Sequence, residues 1–303
     1  FRFIALADDN FYPVTLEDLE HAARREDKSR LRELEAIRQE RFDLMARLAE
    51  LPSDLVFMTQ ITMEAADDVE FLEAMRKANV KGALVGVESV TPEGLKSVYK
   101  DFNSSGEGLV RRLQRFREHK VYILGSFIFG LSTDRPDTFE YTADIAHRSG
   151  VVFAQFLPLT PLPGTVDFDR WEENVRSTGE SIAGVPMSRY WLIPHSRRPK
   201  MYTPHPVMSA AEIIQRTQDV WDRFYRLPLV WERSTITKSI RGRLIFMLMS
   251  KLYRQMYAKS GFATDSARTR RAKRWTQWIA KPVRGLFQAP PMPELQVPRR
   301  ASD

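Results

Sequence analysis

The sequence predicts an α/β fold built on a parallel sheet, and two observations support this prediction. Residues 1–156 alternate short apolar runs with longer charged stretches that have helical periodicity. The apolar runs contain β-branched and aromatic residues on both faces, as the strands of a covered parallel sheet do. Repeated strand–helix pairs form parallel sheets with right-handed crossovers, and such sheets are either open or curled into a barrel.

The elements follow one another in a regular order. We expect strands over residues 3–7, 55–61, 83–87, 122–129 and 152–156. The helices between them are expected over residues 16–51, 69–78, 108–119 and 138–147. The first of these is a long solvated helix or a helical hairpin. In both open sheets and barrels, functional sites lie where the carboxyl ends of the strands meet the loops.

The alternation stops after Phe156. Residues 157–206 are rich in proline, and we expect an extended segment with little regular structure. Ser209 and Glu212 form a capping-box pattern that predicts a helix to about Tyr225. A basic amphipathic helix is expected over residues 234–258, because no acid lies between Arg233 and Thr264. This helix either lies on an anionic membrane surface or docks on the protein with its basic face outward.

Charge and composition limit the classes of function. The chain has 303 residues, a net charge of +7 and no cysteine. The absence of cysteine excludes disulfides, Cys-ligated zinc, a Cys nucleophile and a self-contained iron–sulfur site. Residues 266–303 carry the whole net charge, and we expect disorder from about residue 288. The chain begins inside a predicted strand without an initiator Met, so we expect it to start within a longer protein.

Two alternative hypotheses come from other parts of the chain. The basic residues 268–274, with Trp275 and Trp278 nearby, combine phosphate-binding and stacking groups, as a nucleic-acid interface would. A solvated basic tail is the simpler interpretation, and we do not expect nucleic acid as a partner. An ordinary (β/α)8 enzyme would need two more strand–helix repeats after Phe156, which the proline-rich segment does not provide.

Polar residues follow the first and third predicted strands. Asp8, Asp9 and Asn10 lie where acids could receive an ammonium group or a metal, although they are also ordinary turn residues. Glu88 and Ser89 precede a helix start, where an acid can bond ribose hydroxyls. Taken one at a time, these patterns are only weak indications of a site.

The fourth and fifth strands carry a second set of signals. The run GSFIFGL has glycines that permit close backbone or ligand approach, or tight packing of strand on helix. It matches neither a Walker loop nor a dinucleotide fingerprint. No histidine pair has metal-ligand spacing and no G-x-S-x-G occurs, so we expect neither a metal site nor a hydrolase. His195 and His205 lie near the predicted substrate side.

The order of these motifs resembles the radical S-adenosylmethionine enzymes. Five motifs carry the resemblance, and they occur in this order along the chain. They are a strand ending ADDNF, a strand with Met58-Thr59-Gln60, a strand ending GVES, the run GSFIFGL followed by Thr133-Asp134, and the run AQFLPLTPLPGT. Within that superfamily the chain is most similar to the cobalamin-binding branch, which includes hopanoid methylases and the anaerobic cyclase of bacteriochlorophyll synthesis. The resemblance covers about residues 1–226.

The resemblance implies a partial (β/α)6 TIM-like barrel that lacks its first strand, followed by a mainly helical C-terminal extension. The barrel would span residues 1–165. A wrapping segment and a helix would follow over residues 166–233, then a basic helical extension over 234–287 and a disordered tail over 288–303. The family's C-x-x-x-C-x-x-C loop would hold a [4Fe–4S] cluster on which S-adenosylmethionine is cleaved to methionine and a 5′-deoxyadenosyl radical. A cobalamin domain upstream and a reductant such as ferredoxin or flavodoxin belong to the same implied set.

The resemblance also assigns site residues. The implied cofactor contacts are Asp8, Asp9 and Asn10 for methionine, and Glu88 and Ser89 for ribose and methionine. Ser126, Phe129, Gly130 and Leu131 would pass the adenine, largely through their backbone. The implied substrate side is formed by Gln60, Gln155 and Thr160. No catalytic residue and no metal ligand is assigned on this chain, which cannot ligate the cluster without cysteine.

The expected function follows from these assignments. We expect the C-terminal part of an enzyme that carries out radical methylation, or a related radical reaction, on a hydrophobic, lipid-like substrate. Its expected place is the cytoplasm or the inner membrane face, with peripheral contact through residues 234–285. The alternative is a degenerate, non-catalytic barrel that binds a partner through its basic tail.

Overall fold

A computed structural model describes residues 2–260 of the chain, with side chains to residue 258. Its centre is a five-stranded parallel sheet in the order β1-β2-β3-β4-β5. The strands are β1 (Phe3–Ala5), β2 (Val56–Ile61), β3 (Val80–Glu88), β4 (Tyr122–Phe129) and β5 (Phe153–Pro158). Because the spatial order follows the chain and parallel crossovers are right-handed, the connecting helices fall on one face of the sheet. This is the arrangement of a barrel wall, so the predicted partial barrel is confirmed.

The connecting helices lie close to where the sequence predicts them. They are α1 (Leu16–Arg24), α2 (Lys28–Ala49), α3 (Val69–Lys77), α4 (Pro92–Ser97), α5 (Gly106–Glu118) and α6 (Pro136–Arg148). Of the two forms expected for residues 16–51, the helical hairpin is the one present. The break falls at Glu26, whose φ of 55° is left-handed, and Asp27 then caps α2 by accepting from the Arg30 N–H.

Strand β3 shows how the sheet separates the core from the inner face of the barrel. Val85 and Val87 are fully buried in the main hydrophobic core. The alternate residues Leu84, Gly86 and Glu88 point to the other face and line a cavity. The concave inner face of this partial barrel is therefore the face that carries the candidate site.

The segment after β5 is more regular than the sequence predicts. It contains α7 (Val166–Thr178) and a short antiparallel hairpin of β6 (Ser181–Ile182) and β7 (Val185–Pro186). The expectation of little regular structure is wrong here, because none of the prolines falls within α7. Thr165 caps the helix by accepting from the Phe168 N–H at 3.1 Å.

Helix α8 (Ala210–Phe224) covers the outer edge of β5. The Trp221 indole N–H donates to the Phe156 carbonyl at 2.9 Å. The Tyr225 hydroxyl donates to the Ala154 carbonyl at 2.8 Å and accepts from the Ala154 N–H at 3.1 Å. Within residues 2–260 no strand follows β5 in the sheet, so the further repeats of a (β/α)8 barrel are not found there.

Helices α9 (Leu227–Arg233) and α10 (Ile240–Ser260) follow, and α10 is the predicted basic helix. Phe246 is buried, and its ring lies 5.6 Å from that of Phe153 on β5. This helix therefore docks on the protein, but its exposed side carries Leu244, Ile245 and Met249 and is not the basic outer face that the docking alternative expects. No helix in the described part of the chain is long and apolar enough to cross a membrane. The predictions for residues 261–303 lie outside the described residues.

Candidate functional site

A polar cavity of about 230 Å³ lies at the carboxyl ends of β2, β3 and β4. Its polar lining residues are Asp9, Gln60, Thr62, Glu88, Lys100, Asn103 and Ser126. Two buried oxygens in it, Thr62 Oγ1 and Asn103 Oδ1, have no hydrogen-bond partner among the described residues. Because buried polar atoms are normally hydrogen-bonded, these two atoms point to a ligand or water in the cavity.

Glu88 is the acidic centre of the polar cavity. Its backbone has a left-handed φ of 64°, a strained conformation for a residue with a side chain. Its Oε1 lies 3.2 Å from Lys100 Nζ, and its side chain is only 17% exposed. A Cβ at position 86 would lie 2.5 Å from that same oxygen, so Gly86 leaves the space that the carboxylate occupies.

Of the three polar residues in the turn after β1, one lines the polar cavity and two make structural contacts. Asp9 lines the polar cavity. Asp8 forms an ion pair with Arg41 of α2 at 2.6 Å. Asn10 accepts from the Thr62 N–H at 3.3 Å and so ties the end of β1 to the end of β2. Asp8 and Asn10 thus have structural partners, while their contact with methionine stays a prediction.

The serines of the two predicted contact motifs differ in their surroundings. Ser89 is buried at the start of α4, where its Oγ accepts from the Thr91 N–H at 3.3 Å. Ser126 lines the polar cavity, and its Oγ accepts from Gln155 Nε2 at 2.9 Å. Gln155 in turn accepts from the hydroxyl of Tyr257, so α10 contributes to the hydrogen bonds of the inner face.

A second cavity of about 660 Å³, which we call the cap cavity, lies beyond the carboxyl ends of β4 and β5. Gly130, Leu131 and Thr160 line it from the barrel side, and Trp171 lines it from α7. Phe129 is 1% exposed, and its ring stacks in the core, so its side chain is not available to a ligand. The predicted adenine contacts at Gly130 and Leu131 therefore face the cap cavity.

A buried carboxylate shapes the turn that separates β4 from this cavity. Asp134 Oδ2 accepts from the N–H groups of Gly130 at 2.8 Å and Leu131 at 3.1 Å. Burial raises the pKa of Asp134 to about 6, although these two N–H groups oppose the shift. His205 Nδ1 accepts backbone N–H bonds, so its Nε2 carries the proton and donates to the Leu131 carbonyl at 2.9 Å.

Residues 97–103 separate the two cavities. Ser97 and Val98 line the cap cavity, whereas Lys100 and Asn103 line the polar cavity. The predicted site residues fall on both sides of this segment. Those in the polar cavity are Asp9, Gln60, Glu88 and Ser126, and those in the cap cavity are Gly130, Leu131 and Thr160. Sequence reasoning missed Thr62, Lys100 and Asn103, since no motif marks them.

Comparisons with known proteins find sequence similarity to two methyl-transferring enzymes. No family model matches the chain. It is 33% identical over 118 residues to bacteriochlorophyllide d C-12(1)-methyltransferase of Chlorobaculum tepidum, over 38% of this chain and 25% of that protein. It is 28% identical over 143 residues to hopanoid C-2 methylase of Rhodopseudomonas palustris, over 46% of this chain and 27% of that protein. Over part of its length the chain is thus similar to two methyl-transferring enzymes.

The chain spans about a quarter of the length of these two relatives. Among solved structures, the radical S-adenosylmethionine methyltransferase TsrM from Kitasatospora setae, with cobalamin and a [4Fe-4S] cluster bound, covers 83% of this chain. That alignment spans 52% of TsrM with 15% identity and a TM-score of 0.49. TsrM with tryptophan and a SAM analogue covers 61% of this chain and 40% of TsrM, with 16% identity and a TM-score of 0.43.

The polar cavity suits a cationic ligand, whereas the described residues do not fit an iron–sulfur cluster. The chain has no cysteine, and its described residues contain no group of three His, Asp or Glu placed to hold a metal ion. The polar cavity, in contrast, has a shielded carboxylate in Glu88 and an unpartnered acceptor in Asn103 Oδ1. A cationic ligand with N–H and O–H donors matches both groups.

Proposed function

We propose that this chain forms the S-adenosylmethionine-binding part of a radical methyltransferase with a hydrophobic substrate. The observation that carries the proposal is Glu88, a shielded carboxylate at the carboxyl end of β3 beside the unpartnered oxygens of Thr62 and Asn103. Acidic groups at this edge of a parallel sheet receive ligands in barrels and open sheets alike. S-Adenosylmethionine supplies a methyl group activated on a positively charged sulfur.

The polar cavity would bind the amino-acid end of S-adenosylmethionine, and its adenine would lie at the border of the cap cavity. Glu88 would hold the positively charged amino-acid end, and the unpartnered Asn103 Oδ1 would accept from a hydroxyl or amine. The backbone at Gly130 and Leu131 would lie beside the adenine at the border of the cap cavity. Asp134 and His205 hold this backbone in place through the hydrogen bonds described above.

The cap cavity would receive the methyl acceptor. Its walls include Trp171, Leu159 and Leu162, which give apolar surface for a large ligand. The names of the two curated relatives specify a chlorophyll-type pigment and a hopanoid, both large and hydrophobic acceptors. We therefore place a polycyclic, lipid-like acceptor here, while cobalamin, an external reductant and membrane contact stay predictions from the sequence.

Calorimetric titration with S-adenosylmethionine tests the proposal. Glu88→Gln keeps the side-chain size and removes the charge, and we expect at least tenfold weaker binding, since a hydrogen bond to a charged group contributes ~1.5–3 kcal/mol. Glu93→Gln is the matched control, because Glu93 is an exposed acid of α4 outside both cavities. Equal affinities for the wild type and Glu88→Gln would contradict the proposed site.

A further inference from the structure

We propose that Lys100 occupies the place of the ligand's cation on Glu88, and that ligand binding displaces residues 97–103 and joins the two cavities. The inference rests on the proposed function and adds a recognition step to it. Lys100 would act as an internal substitute for the positive charge of S-adenosylmethionine. The ligand that exchanges with it must therefore itself be a cation.

The first support is the ion pair itself. Lys100 Nζ lies 3.2 Å from Glu88 Oε1, and the two side chains are 33% and 17% exposed. A Cβ at position 86 would lie 2.5 Å from the oxygen and 3.3 Å from the Nζ, so Gly86 makes room for both partners. A partly desolvated carboxylate that loses the cation paired with it is strongly destabilised. A neutral ligand could not replace Lys100, whereas an ammonium or sulfonium group could.

The second support is the size of the cavities. The polar cavity measures about 230 Å³, which is below the ≈ 300–1,000 Å³ typical of sites for small-molecule ligands. The cap cavity measures about 660 Å³. Residues 97–103 are the wall between them, with Val98 on one side and Lys100 on the other. Moving this wall would give one site with room for both S-adenosylmethionine and an acceptor.

The third support is how residues 97–103 are held. The N–H of Lys100 donates to Leu95 of α4, and the N–H of Asn103 donates to the Lys100 carbonyl, both at 2.9 Å. The Asn103 bond lies within the segment, whereas the Lys100 bond would break if the segment moved away from Leu95. Tyr99 and Phe102 are 73% and 48% exposed, so neither ring anchors it in the core. The segment is also held by Asn103, which is buried, and by Arg112 of α5, which donates to the Phe102 carbonyl at 3.4 Å. The Lys100 side chain ties the segment to β3 through Glu88.

The test uses the full chain and three variants. Lys100→Met removes the internal cation, Lys100→Arg keeps it, and Lys96→Met is the control, because Lys96 is an exposed lysine of α4. In calorimetric titration with S-adenosylmethionine, we expect Lys100→Met to bind at least fivefold more tightly than the wild type. Lys100→Arg and Lys96→Met should stay within about twofold of it. Thermal unfolding of each variant checks that the fold is kept.

Hydrogen exchange gives the second readout. In the wild type, S-adenosylmethionine should speed the exchange of the Lys100 amide, because moving the segment breaks its bond to Leu95. Weaker binding by Lys100→Met would overturn the inference, because Lys100 would then be a contact of the ligand carboxylate. Unchanged affinity with unchanged exchange would overturn it as well. If neither the wild type nor any variant binds S-adenosylmethionine, the proposed function fails and the inference fails with it.

Discussion

Asp134 shows how one buried residue shapes the border of the site. Its carboxylate is 1% exposed and holds the N–H groups of Gly130 and Leu131. Burial disfavours the charged form more than these two donors favour it, so the pKa of Asp134 is raised to about 6. The folded protein therefore keeps this proton at pH values where the unfolded chain has released it.

This difference predicts a pH dependence of stability. Between pH 4 and pH 7 the free energy of unfolding should fall by about 2 kcal/mol through Asp134, because its pKa rises from 3.8 in the unfolded chain to about 6 in the fold. Asp134→Asn keeps an oxygen acceptor and removes the titration. Urea unfolding followed by circular dichroism should show the wild type losing stability relative to this variant as pH rises. Parallel curves would contradict the assignment.

Individual site residues were predictable only where a motif marks them. Glu88 and Ser126 belong to runs whose order is informative, and the structure places both in the polar cavity. Lys100 and Asn103 carry no such signal, because their position depends on how the chain returns after α4. Phe129 was assigned to adenine mainly through its backbone, and its side chain is on the core face, since side chains alternate along a strand. That backbone contact stays a prediction.

Helix α8 shows how an element without a strand partner can complete a sheet edge. Trp221 and Tyr225 bond the backbone of Phe156 and Ala154 on β5, where a further strand would otherwise pair. The hydroxyl of Tyr225 satisfies two buried backbone groups of Ala154 at once. Burial raises the pKa of this phenol, so it stays protonated and can donate at any physiological pH.

Tyr225→Phe tests this contact. The variant leaves the N–H and the carbonyl of Ala154 without their partner, and unsatisfied buried groups cost about 1–3 kcal/mol. We expect a loss of stability in that range by urea denaturation. Tyr99→Phe removes a hydroxyl from a ring that is 73% exposed and should change stability by less than about 0.5 kcal/mol. An equal effect of the two substitutions would refute the edge-covering role.

The elements themselves differ in how far the sequence predicts them. The five strands are predictable, because their apolar runs are short, β-rich and separated by charged helices. Helix α7 was missed because prolines on either side of it dominate the local composition. The predicted helix over residues 234–258 overlaps most of α10, although α10 begins six residues later, at Ile240. The face of α10 that is buried depends on packing against β5, and no local pattern specifies that packing.

Over the described residues, the protein is a barrel wall whose inner face is closed partly by helices. Helix α8 covers the outer edge of β5, and α10 reaches the inner face through Tyr257 and Gln155. The polar and cap cavities lie together at the carboxyl ends of the strands, with residues 97–103 between them. This arrangement places the Glu88 carboxylate close to the cap cavity, where we propose that a hydrophobic acceptor binds.

A crystal structure of the protein grown with S-adenosylmethionine tests this assignment most directly. We expect the ligand at the carboxyl ends of β3 and β4, with its positively charged end within hydrogen-bond distance of Glu88. Its adenine should lie beside the backbone of Gly130 and Leu131. A ligand bound elsewhere on the chain, with both cavities empty and Glu88 still paired with Lys100, would contradict the account.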